Sequence, residues 1–232
     1  MNKDCIKICG LNAETIDKMI TPLKGQGVEF SVKEECLDSL IVMNSSTVDR
    51  ATFETIKSKV YNIFSEQVYS AFDDSLQNIA GKLLKMNGKT LAVAESLTGG
   101  EICSRLTEVA GISENFYEGV VCYNRASKIN RLGVPKALLG EYGAVSRETA
   151  YAMVEGLVKA PVDIGLATTG LAGPSGDEGK PVGLVYIAVG SGEYITVFEK
   201  RLAGTRNEIR KATANLALFY LVRYLRGDIL LL

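Results

Sequence analysis

The most informative absence in this sequence is histidine, which does not occur among its 232 residues. Without histidine, one chain cannot form a Ser-His-Asp triad or a histidine-ligated metal site. A general base that works near pH 7 must therefore be a carboxylate, a tyrosine, a thiol or a lysine with a lowered pKa. This restriction narrows the possible mechanisms more than most motifs in the chain do.

The sequence also lacks the marks of secreted, membrane-spanning and nucleic-acid-binding proteins. No apolar run approaches the roughly 18 residues of a membrane helix, and residues 1–10 contain no apolar signal-peptide core. The 26 basic and 27 acidic residues give a net charge of −1, which provides no general attraction to nucleic acid. We therefore expect a cytoplasmic protein with no membrane partner and no direct nucleic-acid partner.

The cysteines do not indicate a disulfide framework or a zinc site. There are five of them, an odd number in a chain that is not short, and no C-x-x-C pair occurs. We expect all of them to be reduced thiols, and we expect no metal and no cofactor.

Residues 1–70 and 71–232 are expected to form two domains. The first range has the order strand–helix–strand–strand–helix, which predicts a small α+β module. A KH-type RNA-binding role is one interpretation of that order. The missing G-x-x-G loop favours the other interpretation, an interaction or spacer module.

The stretch Leu91–Arg105, LAVAESLTGGEICSR, carries the strongest chemical signal. Its first residues predict a buried parallel strand, and the Gly99-Gly100 pair leads into a helix. A strand that turns through small residues into a helix presents free backbone N–H groups, which attract an anion or the oxyanion of an acyl-transfer intermediate. Ser96 lies at this turn as a candidate nucleophile. The alternative is that Ser96 or Thr98 only caps the helix.

Two later segments carry further candidate groups. The strand at 117–123 is followed by Lys128, which can approach Tyr123 only if the chain turns from strand to helix between them; otherwise the lysine is solvated. The strand at 163–169 ends in a glycine-rich loop at 170–181. This loop either wraps a phosphate with its N–H groups or is a flexible hairpin connection, and it matches no standard nucleotide-binding pattern.

The last predicted helix begins with two basic residues on its first turns. Arg206 and Arg210 follow the capping residue Thr205, and a cation is unfavourable at this end of the helix dipole. The position of Arg206 indicates either an anionic ligand or a merely solvated side chain.

Taken in order, these residues resemble the CinA family, over about residues 75–226. The motifs that carry the resemblance are Ala94–Gly100, Val121–Tyr123 with Lys128, Gly143–Ser146, Thr169–Pro174, Lys180–Gly183, and Gly204 with Arg206. The resemblance implies the family's C-terminal domain, and residues 1–70 resemble the KH-type linker module that precedes it. We therefore expect a three-layer α/β/α domain with a mixed sheet after the small α+β module. The nucleotide-pyrophosphatase domain of full-length members is not in this sequence.

The resemblance also implies an activity, which is the hydrolysis of nicotinamide mononucleotide to nicotinic acid mononucleotide and ammonia in pyridine-nucleotide recycling. Ser96 would be the nucleophile, Lys128 its base, and Tyr123 a proton relay or oxyanion donor. The N–H groups near Thr98, Gly99 and Gly100 would form the oxyanion hole, and Lys180 and Arg206 would meet the phosphate. A homodimer is expected. The expected substrate-binding residues are Glu95, Thr98, Gly99, Gly100, Thr169, Gly170, Gly173, Lys180 and Arg206.

The sequence departs from the family pattern at two places. Leu97 stands where the family usually has a cysteine after the serine, which excludes a cysteine nucleophile there and favours Ser96. The segment Asn124–Lys128, NRASK, keeps the family's lysine but changes the polar residues before it. That change motivates one alternative, a non-catalytic nucleotide-binding module. The family name suggests another, a protein-interaction role in competence, recombination or the DNA damage response.

Overall fold

The structure, a computed structural model, describes residues 2–177, 179–192 and 194–229. Over these residues the chain forms nine strands and eight α-helices, arranged around two separate sheets. The chain divides into two compact units, Met1–Ser75 and Leu76–Leu232, so the predicted boundary at residue 70 falls at the end of a strand of the first unit. None of the helices in the described ranges has the length and apolar character of a membrane span.

The first unit is an antiparallel four-stranded sheet with two helices. Its strand order is β2-β3-β1-β4, and its core joins apolar residues of β1 and β3 to those of α1 and α2. The predicted order of elements is confirmed, whereas β4 is not predicted because its three residues are too few to show a pattern. The elements are β1 (Asn2–Cys9), α1 (Ala13–Ile20), β2 (Glu29–Glu35), β3 (Asp38–Ser45), α2 (Arg50–Ile63) and β4 (Val68–Ser70).

Ser39 provides a test of this core. Its hydroxyl is buried in β3 and has no hydrogen-bond partner among the described residues. Because a buried, unsatisfied polar group carries a desolvation cost of about 1–3 kcal/mol, Ser39→Ala is expected to leave the free energy of unfolding unchanged or to raise it. Urea unfolding measures this.

Ser45→Ala is the matched control for that experiment. The Ser45 hydroxyl donates to the Gly27 carbonyl at 2.6 Å and accepts from the N–H groups of Thr47 and Val48, so its removal is expected to lower the free energy of unfolding. A loss for Ser39→Ala as large as that for Ser45→Ala would contradict the interpretation.

The second unit is built on a five-stranded mixed sheet with the order β6-β5-β7-β8-β9. β5 pairs in parallel with β6 and β7, and β8 pairs antiparallel with β7 and β9. The elements are α3 (Leu76–Met86), β5 (Leu91–Glu95), α4 (Glu101–Thr107), β6 (Phe116–Val121), α5 (Arg125–Leu132), α6 (Lys136–Tyr142), α7 (Arg147–Leu157), β7 (Ile164–Gly170), β8 (Leu184–Gly190), β9 (Ile195–Arg201) and α8 (Arg206–Arg226).

Helices cover both faces of this sheet, as the predicted three-layer α/β/α fold requires. α7 packs on β7, β8 and β9 in a core that includes Ala188. α8 packs on β7 and β8, and its Ile209 lies in a cluster with Val185. Val185 and Ala188 are an odd number of positions apart on β8, so they point to opposite faces. α7 and α8 therefore form the two outer layers.

The parallel strands β5, β6 and β7 all end at the same edge of the sheet. Their last paired residues are Glu95, Val121 and Thr168, each aligned across the ladder. The segments that follow these strands carry Ser96, Tyr123 and the glycine-rich loop. Open α/β sheets bind ligands at this edge, and the topology brings the main candidate groups together there.

Candidate active site

Ser96 and Lys128 are in direct contact at the carboxyl edge of the sheet. Ser96 directly follows β5, and Lys128 lies near the start of α5, after β6. Lys128 Nζ donates to Ser96 Oγ at 2.9 Å and to the Cys122 carbonyl oxygen at 2.7 Å. Lys128 is 1% exposed, so the strand-to-helix turn before it returns the side chain to the sheet edge. The solvated alternative for this lysine is wrong.

The environment of Lys128 changes its acid–base chemistry. Burial lowers its pKa to about 8, from 10.5, and the nearby Cys122 thiol opposes this shift more weakly. Both hydrogen bonds of the amine go to neutral oxygens rather than to a carboxylate. At pH 7 about a tenth of such an amine is neutral, so it can accept a proton from the serine hydroxyl.

Glu95 holds the turn that follows Ser96. Its carboxylate is fully buried and accepts hydrogen bonds from the N–H groups of Gly100 and Cys103, both at 2.8 Å. These are the donors of the first turn of α4, where a negative charge is favoured by the helix dipole. Glu95 and Gly100 therefore bond to each other within the turn. The expectation that these two residues bind substrate stays a prediction.

The N–H groups of Leu97 and Thr98 are the ones left available in this turn. Gly99 N–H donates to the Ser96 carbonyl at 3.2 Å, so the N–H groups of Gly99 and Gly100 both have partners within the turn. Across the described ranges, no acceptor bonds to the N–H of Leu97 or Thr98, although Thr98 is fully buried. Buried N–H groups without a partner are rare in folded proteins. Leu97, which the sequence prediction missed, lines the cavity at Ser96 and is therefore the better candidate donor. The role of Thr98 stays a prediction.

A cavity of about 250 Å³ opens at the Ser96 hydroxyl. Its walls come from the ends of β5 and β6, the segment before α7 and the loop after β7. The predicted site residues that line it are Ser96, Tyr123, Lys128, Thr169, Gly170, Gly173 and Arg206. The predicted residues Glu95, Thr98, Gly99, Gly100 and Lys180 are not among those that line it.

Lys180 lies apart from the cavity wall. Its ammonium donates to the Tyr142 carbonyl at the C-terminus of α6, at 2.6 Å. That bond is typical of a lysine that stabilises the end of a helix. The expected phosphate contact of Lys180 therefore has no support in the geometry. Arg206 does line the cavity, as does Lys128.

Arg206 bridges two walls of the cavity. Its guanidinium donates to the Tyr123 hydroxyl at 2.6 Å and also to the Gly173 carbonyl. Tyr123 is 59% exposed, and within the described residues its hydroxyl makes no hydrogen bond to Ser96 or Lys128. In this arrangement the Tyr123 hydroxyl is bonded to Arg206 and not to Ser96 or Lys128.

Arg210 is a site residue that the sequence interpretation did not single out. Its Nε donates to the Leu97 carbonyl and its Nη2 to the Thr98 carbonyl, each at 3.0 Å. The available signal was its place on the first turns of α8, where a cation is unfavourable for the helix dipole.

The site contains groups that acyl transfer would use. A serine hydroxyl is hydrogen-bonded to an amine of lowered pKa, and available N–H groups follow it at a strand–turn–helix junction. An activated nucleophile beside fixed donors is the arrangement that acyl transfer requires. Within the described part of the chain, no three His, Cys, Asp or Glu side chains are placed to share a metal ion.

Comparison with known proteins identifies a matching family model and several relatives of this chain. The model of the CinA C-terminal domain matches residues 73–225. A competence-damage inducible protein of Desulforamulus reducens is 37% identical over 95% of this chain and 55% of its own length. A CinA-like protein of Fusobacterium nucleatum is 39% identical over 93% of this chain and 54% of its own length. The chain thus spans a little over half the length of these relatives.

Solved structures show the same fold for the second unit. The competence/damage inducible protein CihA from Agrobacterium tumefaciens has a TM-score of 0.61 at 37% identity, over 68% of this chain and 99% of its own. A CinA superfamily protein from Klebsiella pneumoniae has a TM-score of 0.63 at 30% identity, over 66% of this chain and 96% of its own. By the matched domain and by these likenesses, the chain belongs to the CinA family.

Proposed function

We propose that this protein hydrolyses the carboxamide of nicotinamide mononucleotide to nicotinic acid mononucleotide and ammonia. The observation that carries the proposal is the 2.9 Å hydrogen bond between Ser96 and the buried Lys128, at the turn that joins β5 to α4. That pair supports amide hydrolysis without histidine. The substrate itself follows from the motifs shared with the CinA family.

The mechanism begins with attack by the serine. Neutral Lys128 takes the Ser96 proton as Oγ bonds to the carboxamide carbon, and the carbonyl oxygen becomes an oxyanion. The N–H group of Leu97, which lines the cavity, receives that oxyanion; one such donor is typically worth about 2.7–4 kcal/mol. The Lys128 ammonium then gives its proton to the amide nitrogen, the C–N bond breaks, and ammonia leaves.

The second half of the reaction repeats the same proton transfers with water. An acyl group is now bonded to Ser96 Oγ, and Lys128 is again neutral. Lys128 takes a proton from water as the water oxygen attacks the acyl carbon, and it returns a proton to Ser96 Oγ as the ester bond breaks. The nicotinic acid nucleotide leaves with a carboxyl group, and the enzyme is restored.

Arg206 is expected to recognise the phosphate of the substrate. A charge-assisted hydrogen bond contributes about 1.5–3 kcal/mol, so Arg206→Met is expected to raise the KM for nicotinamide mononucleotide roughly 10- to 100-fold, with a smaller change in kcat. Steady-state kinetics with the nucleotide and with free nicotinamide measure this. Nicotinamide, which has no phosphate, should be a poor substrate for both proteins.

Lys180→Met is the matched control for the Arg206 variant. It also removes one cation from the loop region, but its ammonium is bonded to the Tyr142 carbonyl outside the cavity wall. Its KM should stay near the wild-type value. Equal KM increases in the two variants, or none in Arg206→Met, would refute the phosphate assignment.

The altered segment before Lys128 does not favour a non-catalytic role. Asn124 caps α5 by accepting from Ser127 N–H at 2.7 Å, and Arg125 donates to the Leu139 carbonyl at 3.3 Å. These residues support the helix that carries Lys128. Other residues can take their places provided that the start of the helix stays capped. The names of the relatives refer to competence and damage; a protein that neither binds nor hydrolyses the mononucleotide in the test below would support a protein-interaction role.

Ammonia release is the experiment that tests the proposed function. The protein is incubated at pH 8–9 with nicotinamide mononucleotide, nicotinamide riboside or nicotinamide, and ammonia and the acid product are quantified. Ammonia in amounts equal to the acid, from the mononucleotide far above the others, is expected. Binding of the mononucleotide without ammonia release would instead support the non-catalytic alternative.

A further inference from the structure

The guanidinium of Arg210 makes a bidentate contact with the turn after Ser96. Nε and Nη2 donate to the carbonyls of Leu97 and Thr98, each at 3.0 Å, and Nη1 reaches the Asn207 side chain at 3.4 Å. A planar guanidinium with donors in a fixed fork can hold two carbonyls in one orientation. Arg210 therefore fixes two successive peptide planes next to the nucleophile.

The orientation of these planes decides where their N–H groups point. Both peptide bonds are trans, and a trans peptide directs its N–H opposite to its C=O. With both carbonyls bonded to Arg210, the N–H groups of Thr98 and Gly99 point away from the guanidinium. Gly99 N–H reaches the Ser96 carbonyl, so the side opposite Arg210 is the Ser96 side. Thr98 N–H points to that side as well, but Thr98 is fully buried and does not line the cavity. Leu97 does line it, so the Leu97 N–H is the donor of this turn that can meet a ligand.

The packing around the turn leaves little freedom for other arrangements. Gly99 has a φ of +63°, and a Cβ at this position would lie 3.3 Å from Arg210 Nη2. The Leu97 side chain is buried in a cluster with Ile209, the residue before Arg210 on α8. α8 thus holds both the backbone and the side chain of the turn.

We infer that Arg210 is a positioning residue that holds Leu97 in the turn, so that the Leu97 N–H stays available to the oxyanion formed at Ser96. It contacts neither the Ser96 hydroxyl nor Lys128, and it acts through the two peptide groups that it holds. This inference rests on the proposed function only in that Ser96 is the nucleophile.

A fluorophosphonate probe tests the inference without any nicotinamide substrate. Ser96 Oγ forms a bond to phosphorus, fluoride leaves, and the phosphoryl oxygen uses the oxyanion donors; mass spectrometry measures the rate. Arg210→Met is expected to label about 10- to 100-fold more slowly than the wild type. This is less than the roughly 10²- to 10³-fold cost of removing an oxyanion donor, because the N–H remains and only its orientation is lost. Arg210→Lys keeps the positive charge but cannot donate to both carbonyls in the same fixed geometry, so it should recover only part of the labelling rate. Lys211→Met, at the exposed neighbouring position, is the control and should label normally.

The pH profile separates positioning from a general loss of structure. Burial lowers the pKa of Lys128 to about 8, so the labelling rate should rise with pH up to about pH 8. In a disordered site this rise would shift toward pH 10.5, the ordinary pKa of a lysine. Positioning by Arg210 predicts an unchanged limb and a lower plateau, with part of the rate restored to Arg210→Ala by added guanidinium ion. Labelling of Arg210→Met at the rate of Lys211→Met, or a slower rate with a shifted limb, overturns this inference alone. Failure of wild-type Ser96 to label overturns both this inference and the proposed function.

Discussion

Ser96→Ala is expected to abolish ammonia release from nicotinamide mononucleotide. The substitution removes the atom that forms the acyl bond, and loss of a serine nucleophile typically lowers kcat by about 10⁴- to 10⁶-fold. The fold should persist, because one polar atom is lost at a turn that Glu95 and Arg210 still hold. Ammonia assays give the rate, and calorimetry should show that the nucleotide still binds.

Ser175→Ala is the control for the nucleophile. Ser175 also lines the cavity but lies on the loop after β7, on another wall from Lys128. Its variant should keep most of the rate. Substantial activity in Ser96→Ala would remove Ser96 from the mechanism, whatever the behaviour of the control.

Lys128→Arg is expected to be nearly as damaging as Lys128→Ala. Arginine keeps the positive charge but cannot release its proton in a protein, so it cannot act as the base. General acid–base catalysis contributes roughly 10²- to 10⁴-fold, and a loss in that range is expected for both variants. Lys136→Arg, at an exposed position of α6, is the control and should be close to wild type. If Lys128→Arg kept most of the rate, the lysine would only hold the substrate electrostatically.

The pH dependence of the wild type follows from the same assignment. Burial lowers the pKa of Lys128 to about 8, and the neutral amine is the active form. The value of kcat/KM should therefore rise tenfold per pH unit below pH 8 and level off above it. A limb near the ordinary lysine value of 10.5 would show that the base is not buried as described.

The parts of the site that depend on local sequence could be predicted. Residues 91–105 show strand, turn and helix within one continuous stretch, so the location of Ser96 follows from the pattern. The contact with Lys128 depends on one further condition, a turn from β6 into α5, which the Asn124 cap provides. The three-layer fold follows similarly from alternating strands and helices together with the resemblance.

The parts that depend on distant contacts could not be predicted. Whether the N–H groups of Gly99 and Gly100 face a ligand depends on Glu95 and Ser96 taking them first. The role of Arg210 depends on α8 packing against a turn more than a hundred residues earlier in the chain. Lys180 lies in a glycine-rich loop whose path is set by tertiary contacts such as the bond to Tyr142. Sequence spacing carries none of this information.

The most direct test of the mechanism is detection of the acyl group on Ser96. The enzyme is mixed with nicotinamide mononucleotide, quenched in acid within one turnover, digested and examined by mass spectrometry. The mechanism predicts a nicotinoyl nucleotide ester on the peptide that contains Ser96, formed together with the first ammonia and absent from Ser96→Ala. Product formation at the full rate with an unmodified Ser96 peptide, or an acyl group on a different residue, would contradict it.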